Sequence, residues 1–407
     1  MTSPPTAALG TEPLRYDPYS YEIHEDPYPT YRRLRDERPV YRNDERGFWA
    51  LSRYEDVMAA FRDSERFSSA QGVSIDPAAS GPNAHRTMSF LAMDPPQHGR
   101  MRGLVSRGFT PRRVAAMEDR IRALTVAHLE VALEKGSFDF VADLAGKVPM
   151  DVISDLLGVP PSDRSELRRL ADLLVHREEG INDVPPAGVA AALELVVYYA
   201  DLIAQRRRNP TDDLVSALCS ADVDGDRLTD DEITSFLFLL VVAGNETTTK
   251  LLSHAWYWAW RNPDQLAKPM ADPARVADWV EETLRYDTSS QMLARVTTRD
   301  TTLHGTTIPA GDRVLLLAGS ANRDDRAFAD PDRFDIDRDL MTVGVASFGV
   351  GRHFCMGASL ARMEARVVLE ELIARVAAYD IDEAATRRVH SVNVRGFATL
   401  PTTVTMR

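Results

Sequence analysis

The chain has 407 residues, 44% hydrophobic and 27% charged, with 48 basic against 61 acidic side chains and a net charge of −13. That balance excludes nucleic acid as the main partner. Two cysteines, Cys219 and Cys355, exclude a disulfide framework and fit a reducing cytoplasm. The N-terminal run has no basic-then-apolar signal pattern, and the most apolar window, Phe236–Gly244, is too short to cross a bilayer. We therefore expect a soluble, cytoplasmic monomer with no membrane association.

Residues 1–15 read as a loose arm. Val40–Tyr41 and Phe48–Leu51, around turn residues Asn43 to Gly47, read as a short hairpin. Gly72–Leu91 lacks periodicity and reads as a flexible roof. From Pro111 to Pro263 the pattern is helical, punctuated at Gly136, Gly158–Pro161, Pro185-Pro186 and Asn209-Pro210. Inside it, Thr229-Asp230-Asp231-Glu232 is a capping box that starts a helix of about 30 residues, ended by Asn262-Pro263. Asp272-Pro273 opens another amphipathic helix, and Thr, Val, Ile and Leu alternate through Arg295–Leu317 as short strands. A last helical segment, Ala358–Ala378, precedes β-like ends near Val392–Val394 and Thr402–Met406. No linker or repeat divides the chain, so one domain is expected over 1–407. It is mainly α, with β-rich parts near 40–52 and 294–318.

Phe348-Gly349-Val350-Gly351-Arg352-His353-Phe354-Cys355-Met356-Gly357 is the most informative stretch. Gly349, Gly351 and Gly357 allow a tight backbone against which a flat cofactor can lie. The helix that follows directs free N–H groups at Cys355, which favours a thiolate. A small core cysteine beside a turn explains the residue alone, but not six fixed positions in ten. The run resembles the haem-binding loop of the cytochrome P-450 family of monooxygenases, soluble bacterial type. Such a thiolate on haem iron favours O–O cleavage.

The resemblance extends along the chain. Ala243-Gly244-Asn245-Glu246-Thr247-Thr248, poor helix formers inside an apolar helix, match the family's oxygen-activation motif. By that match Glu246 is the acid and Thr247 the alcohol of a proton relay, while Ala243 and Gly244 leave room for dioxygen. Glu282-Thr283-Leu284-Arg285 matches the family's Glu-x-x-Arg, a structural ion pair completed by Arg333 of Pro331-Asp332-Arg333-Phe334. His98 and Arg102, one helical turn apart, join Arg295 and His353 as holders of the propionates of heme b (iron protoporphyrin IX). Phe348 and Gly349 belong to the cofactor loop, and Cys355 is the metal ligand. The implied fold is a triangular prism of about a dozen helices around the haem.

Met88, Phe90, Leu91, Leu239, Val242, Met292 and Leu293 are candidates for an apolar substrate lining, with plain core packing as the alternative. Two helices flanking Gly180–Pro186 resemble the family's mobile lid. The resemblance implies oxygen insertion from O2 into a bulky hydrophobic molecule: a polyketide, terpenoid, steroid or fatty acid. Electrons would come from an NAD(P)H-dependent reductase through a ferredoxin, docked on a basic patch of Arg362, Arg366 and Arg112-Arg113. A peroxygenase using H2O2, or a non-catalytic haem-thiolate sensor, would need no acid–alcohol pair, so Glu246-Thr247 disfavours both.

Overall fold

One helix organises the molecule. Asp230–Arg261 runs unbroken for 32 residues, and its capping box forms: Thr229 accepts from the Glu232 N–H at 3.2 Å and Glu232 accepts from the Thr229 N–H at 2.9 Å. Every residue from Thr248 to Tyr257 is buried, so this half is covered on all faces. The computed structural model describes residues 13–106, 114–223 and 225–407. The predicted arm therefore lies almost wholly outside the described residues, as does Arg112-Arg113.

In chain order the principal helices are α1 (Gln97–Ser106), α2 (Glu118–Glu134), α3 (Val148–Leu157), α4 (Arg164–Val175), α5 (Pro186–Arg208), α6 (Asp230–Arg261), α7 (Val276–Tyr286) and α8 (Ala358–Arg375). Helices α3, α4, α5, α7 and α8 all pack on α6. The strands are β1 (Val40–Asn43), β2 (Phe48–Leu51), β3 (Phe67–Ser68), β4 (Ser137–Asp139), β5 (Leu293–Thr297), β6 (Arg313–Leu316), β7 (Val376–Ile381) and β8 (Pro401–Met406). One sheet has the order β1-β2-β6-β5-β3, with only β2 and β6 parallel; a second has the order β7-β8-β4. The fold is thus mainly α with small sheets.

Three expectations change. The last helix stops at Arg375, and residues 376–378 turn into β7, where Val376 is buried against β8. Around Val392–Val394 there is a lone bridge, Ser290 to Val394, rather than a strand. The roof is anchored: Val73 to Asp76 are buried, and Asp76 accepts from Arg177 at 3.1 and 2.6 Å. Helix α5, the second of the two helices flanking Gly180–Pro186, has 23 residues and, among the described residues, is long and apolar enough to cross a membrane by length and composition, unlike the Phe236–Gly244 window. It packs on α4 and α6 through Ala191, Leu195 and Tyr199, leaving Val189, Leu193 and Val197 exposed.

The floor of α6 is an aromatic stack. Trp256 lies between Phe140, with centroids 5.2 Å apart, and Tyr379, at 3.5 Å, and its carbonyl accepts from the Tyr379 hydroxyl at 2.9 Å. We expect Trp256→Ala to lower unfolding free energy by about 3–5 kcal/mol in a denaturant titration. A loss under about 1 kcal/mol would show that the stack is not part of the stabilising core.

Candidate active site

The cysteine loop is shaped by its glycines and by one backbone bond. Gly349 and Gly351 have φ of +61° and +76°, which side-chain-bearing residues rarely adopt. Gly357 is different: its φ of −82° suits any residue, and it serves as the N-cap of α8. The Cys355 N–H donates to the Phe348 carbonyl at 2.9 Å, closing the loop. The Cys355 side chain is accessible although protein surrounds it, the signature of a concavity. Burial pushes its thiol up, and the N–H groups of Gly357 and Ala358 with Arg102 and Arg362 only partly offset this. The helix N-terminus alone therefore does not make the thiolate, contrary to the sequence expectation; a bound metal ion would deprotonate the thiol outright.

Around this concavity stand basic groups, two histidines among them with unpartnered ring nitrogens. The rings of His98 and His353 lie 4.3 Å apart, and His98 Nε2 and both His353 nitrogens are buried without a partner. Arg295 is 2% exposed and bonds only the neighbouring Ala294 carbonyl, at 2.7 Å; burial pulls it down to about 10. Burial, then the charges of Arg295, His98 and Arg102, lower His353 to about 3. Arg102 donates to the carbonyls of Arg352 and Phe354 at 3.2 and 2.7 Å, tying α1 to the loop. Buried donors with no acceptor are costly, so this set is built for an anion. Together with an accessible thiol in a glycine loop, it fits a haem with its two carboxylates.

On α6 the Thr247 hydroxyl donates to the Ala243 carbonyl at 2.6 Å, a back-bond that leaves the helix continuous. Ala243 is exposed in the middle of this core helix, so an open space borders it. Met356, next to Cys355, packs in the same cluster as Leu239, Leu240 and Val242. Gly244 does not face that space as expected: a Cβ there would lie 2.4 Å from Ile153 of α3, so its smallness serves helix packing. Glu246 is 2% exposed; its Oε1 accepts from Asn245 at 3.1 Å and its Oε2 sits 3.3 Å from Lys250 Nζ.

Behind the loop lies the Glu282–Arg285 pair, with 1% and 0% exposure. All five N–H donors of Arg285 are answered: by Glu282 at 2.8 and 2.6 Å, and by the carbonyls of Asn322, Pro331 and Arg333 at 3.0, 2.8 and 3.0 Å. The Arg333 side chain does not complete the pair as expected. It is 62% exposed, and only its carbonyl takes part; Arg338 Nε stands 3.5 Å from Glu282 instead. Sequence reading also missed Asn322, which accepts from the Ala346 N–H at 2.7 Å and donates to Ser347 at 2.8 Å, joining the pair to the cysteine loop.

The apolar candidates divide. The segment holding Met88 and Leu91 lies on α6, where both are half-buried, like Leu239 and Val242. Phe90 is buried edge-on against His98 at 5.9 Å, under Arg102. Met292, 1% exposed, belongs to a core cluster with Tyr16, Ile75 and Val392 and is core rather than lining, while Leu293 is half-buried on the sheet with Phe61 and Phe67. The basic patch also changes: Arg362 is paired with Glu281, and Arg366 with Glu118 and Glu370, so neither offers free positive charge.

These features define a class: a mainly helical protein that holds a haem through a cysteine thiolate. The cytochrome P450 family model matches residues 276–378. Cytochrome P450 123 of Mycobacterium tuberculosis, whose name carries no reaction, is 58% identical over 402 residues, covering 99% of this chain and 100% of that one. Vitamin D(3) 25-hydroxylase of Pseudonocardia autotrophica is 37% identical over 404 residues and 97% of each chain. Among solved structures, cytochrome P450 CYP109Q5 from Chondromyces apiculatus matches with a TM-score of 0.87 at 37% identity, over 96% of this chain and 98% of that one. The chain belongs to the cytochrome P450 family, and with it to the monooxygenase class of oxidoreductases.

Arg285→Met should cost about 3–5 kcal/mol, because Glu282 keeps its charge in the interior. Arg333→Ala should stay within about 0.5 kcal/mol of the parent. Equal losses for the two variants in thermal unfolding would contradict the placement of Arg338 rather than Arg333 beside Glu282.

Proposed function

We propose that this protein is a haem-thiolate monooxygenase that hydroxylates or epoxidises a bulky hydrophobic small molecule. The observation that carries this reading is the pairing of Cys355, set in a glycine-shaped concavity, with unpartnered basic donors around it and a polar break in α6. Cys355 is the ligand to the iron of heme b. His98, Arg102, Arg295 and His353 hold the propionates, exchanging orphaned donors for charge-assisted hydrogen bonds. When bound, the haem supplies dioxygen activation and transfer of one oxygen atom; the other leaves as water, for two electrons and two protons taken up.

The chain's own part is proton delivery and exclusion of water. Glu246, one residue from Thr247, carries protons past the apolar wall of α6, and the Thr247 hydroxyl receives and orients them. Phe90 packs edge-on against His98 beneath Arg102, setting an apolar ring beside the propionate holders. Met88, Leu91, Leu239 and Val242 form the apolar lining, which suits a polyketide, terpenoid, steroid or fatty acid. The name of the vitamin D(3) 25-hydroxylase, a relative over nearly its full length, favours a polycyclic or secosteroid-like substrate within that range. Electrons come from NAD(P)H through a reductase and a ferredoxin in the cytoplasm. The ion pairing of Arg362 and Arg366 means that docking cannot rely on those two charges.

Titrating the haem-loaded ferric protein with steroids, terpenoids, macrolides and fatty acids tests the substrate class. We expect a Soret shift toward the high-spin form with one class, as the ligand displaces water. With that ligand, Thr247→Ala should retain haem yet release most consumed reducing equivalents as peroxide. Coupling equal to the parent's would remove the threonine from the relay.

A further inference from the structure

The roof is held still on one side and pinned on the other. The Val73 carbonyl accepts from the Ala294 N–H of β5 at 2.7 Å, and Arg313 of β6 donates to the Ile75 carbonyl at 3.0 Å, so the sheet fixes this segment. Residues 176–185, which join α4 to α5, meet the roof through Arg177 and Asp183. Arg177 donates to both carboxylate oxygens of Asp76, at 3.1 and 2.6 Å, and the two side chains are sealed at 6% and 0% exposure. Asp183 accepts from the Ala78 N–H at 2.9 Å. Beside the pair, the Arg177 N–H donates to the His390 carbonyl at 2.8 Å and the Tyr21 hydroxyl to the Arg177 carbonyl at 3.3 Å. Between the two attachments Glu178, Glu179, Gly180 and Asn182 are exposed, so this strap lies largely in water.

Each charge in these contacts keeps partners of its own when the contact parts. Asp76 also accepts from the Ser74 hydroxyl at 2.7 Å and the Tyr19 hydroxyl at 3.0 Å, both off the strap. Arg177 also donates to the carbonyls of Leu174 and His176, at 2.9 and 2.8 Å, on its own side. Asp183 also accepts from the adjacent Val184 N–H at 2.8 Å. Separation is strongly costly for a buried ion left with nothing, and neither side is left so here. The Glu282–Arg285 pair is built otherwise, because three of the Arg285 bonds cross to a distant segment. The strap also moves as part of a larger body. A Cβ on Gly188 of α5 would lie 2.9 Å from the Leu173 carbonyl oxygen of α4 and 2.8 Å from Val184, so both helix ends pack as one unit with it.

A bulky ligand ends mostly enclosed, so some part of the wall must open to admit it. We propose that the Asp76–Arg177 pair, with Asp183 on Ala78, is a releasable latch. A bulky ligand reaches the lining of Met88, Leu91, Leu239 and Val242 when residues 176–185 part from the roof. This deepens, and rests on, the reading of those four residues as the lining. Leu173 and Leu174, at the latched end of α4, pack in the same cluster as Leu239 and Val242, so releasing the latch loosens that wall. The buried pair sets the rates of entry and exit, because the open and closed forms differ by whether this contact is made.

The test uses the haem-loaded ferric protein and two probes of different size, clotrimazole and cyanide, followed at the Soret band by stopped flow. In a Cys219→Ser background, Ala78→Cys with Asp183→Cys is oxidised to a disulfide that ties the strap to the roof. We expect clotrimazole binding to be lost until a phosphine reductant opens that bond, with cyanide binding at the parent rate throughout. Asp76→Asn keeps the shape of the pair and removes its charge. Clotrimazole association and dissociation should then both rise, by about tenfold, with the dissociation constant close to the parent's. Clotrimazole entering the cross-linked protein at the parent rate, both probes slowed alike, or unchanged rates in Asp76→Asn would overturn the latch. A parent protein that takes up cyanide and never clotrimazole would overturn the apolar lining instead.

Discussion

A guanidinium with no exposed surface must have all its N–H groups answered, and this constraint at Arg285 ties the molecule together. Its five hydrogen bonds reach Glu282 on its own helix and three carbonyls that lie 37 to 48 residues further along the chain. Those carbonyls precede the cysteine loop, and Asn322 carries the constraint onward to Ala346 and Ser347. From there Phe348 receives the Cys355 N–H. A structural ion pair thereby sets where the thiol stands, although it touches nothing reactive. Burying the pair costs desolvation energy that its own attraction only roughly offsets. What it contributes is one definite loop geometry.

The electrostatics of the site follow two opposite rules. On the cysteine side, His98 and His353 have buried ring nitrogens without partners and the buried Arg295 bonds only the adjacent Ala294 carbonyl, a balance that an anionic group would restore. On the α6 side the charges are already balanced: Glu246 answers Lys250, with Asp172 and Arg168 close by. One half is therefore built to receive a charged cofactor edge, and the other already holds its own counter-charge. The Thr247 back-bond to Ala243 lies next to this second half.

Much of this was legible in the sequence because it was carried by local rules. The capping box at Thr229 and the 3.6-residue apolar pattern marked α6, and the glycine spacing marked the cysteine loop. His98 and Arg102, four residues apart, were readable as one face of a helix. What escaped depends on contacts distant in sequence. Arg333 and Arg338 are both exposed-looking arginines in the same stretch, and only the fold decides which one meets Glu282. Gly244 read as room for dioxygen, and only the fold shows that a Cβ there would meet the Ile153 side chain of α3. Arg362 and Arg366 read as a patch until Glu281, Glu118 and Glu370 are brought beside them. Met292 is apolar and near the right strand, but its side chain joins the core cluster with Tyr16 and Val392.

The central claim is that Cys355 binds haem iron as a thiolate in a loop positioned by the Glu282–Arg285 pair. The most direct measurement is the carbon monoxide difference spectrum of the reduced, haem-loaded protein and of Cys355→His. The parent should show the strongly red-shifted Soret band of a thiolate-ligated haem, and the variant a band of the histidine-ligated kind. A histidine-type band in the parent under native conditions, or a thiolate-type band surviving in Cys355→His, would contradict it.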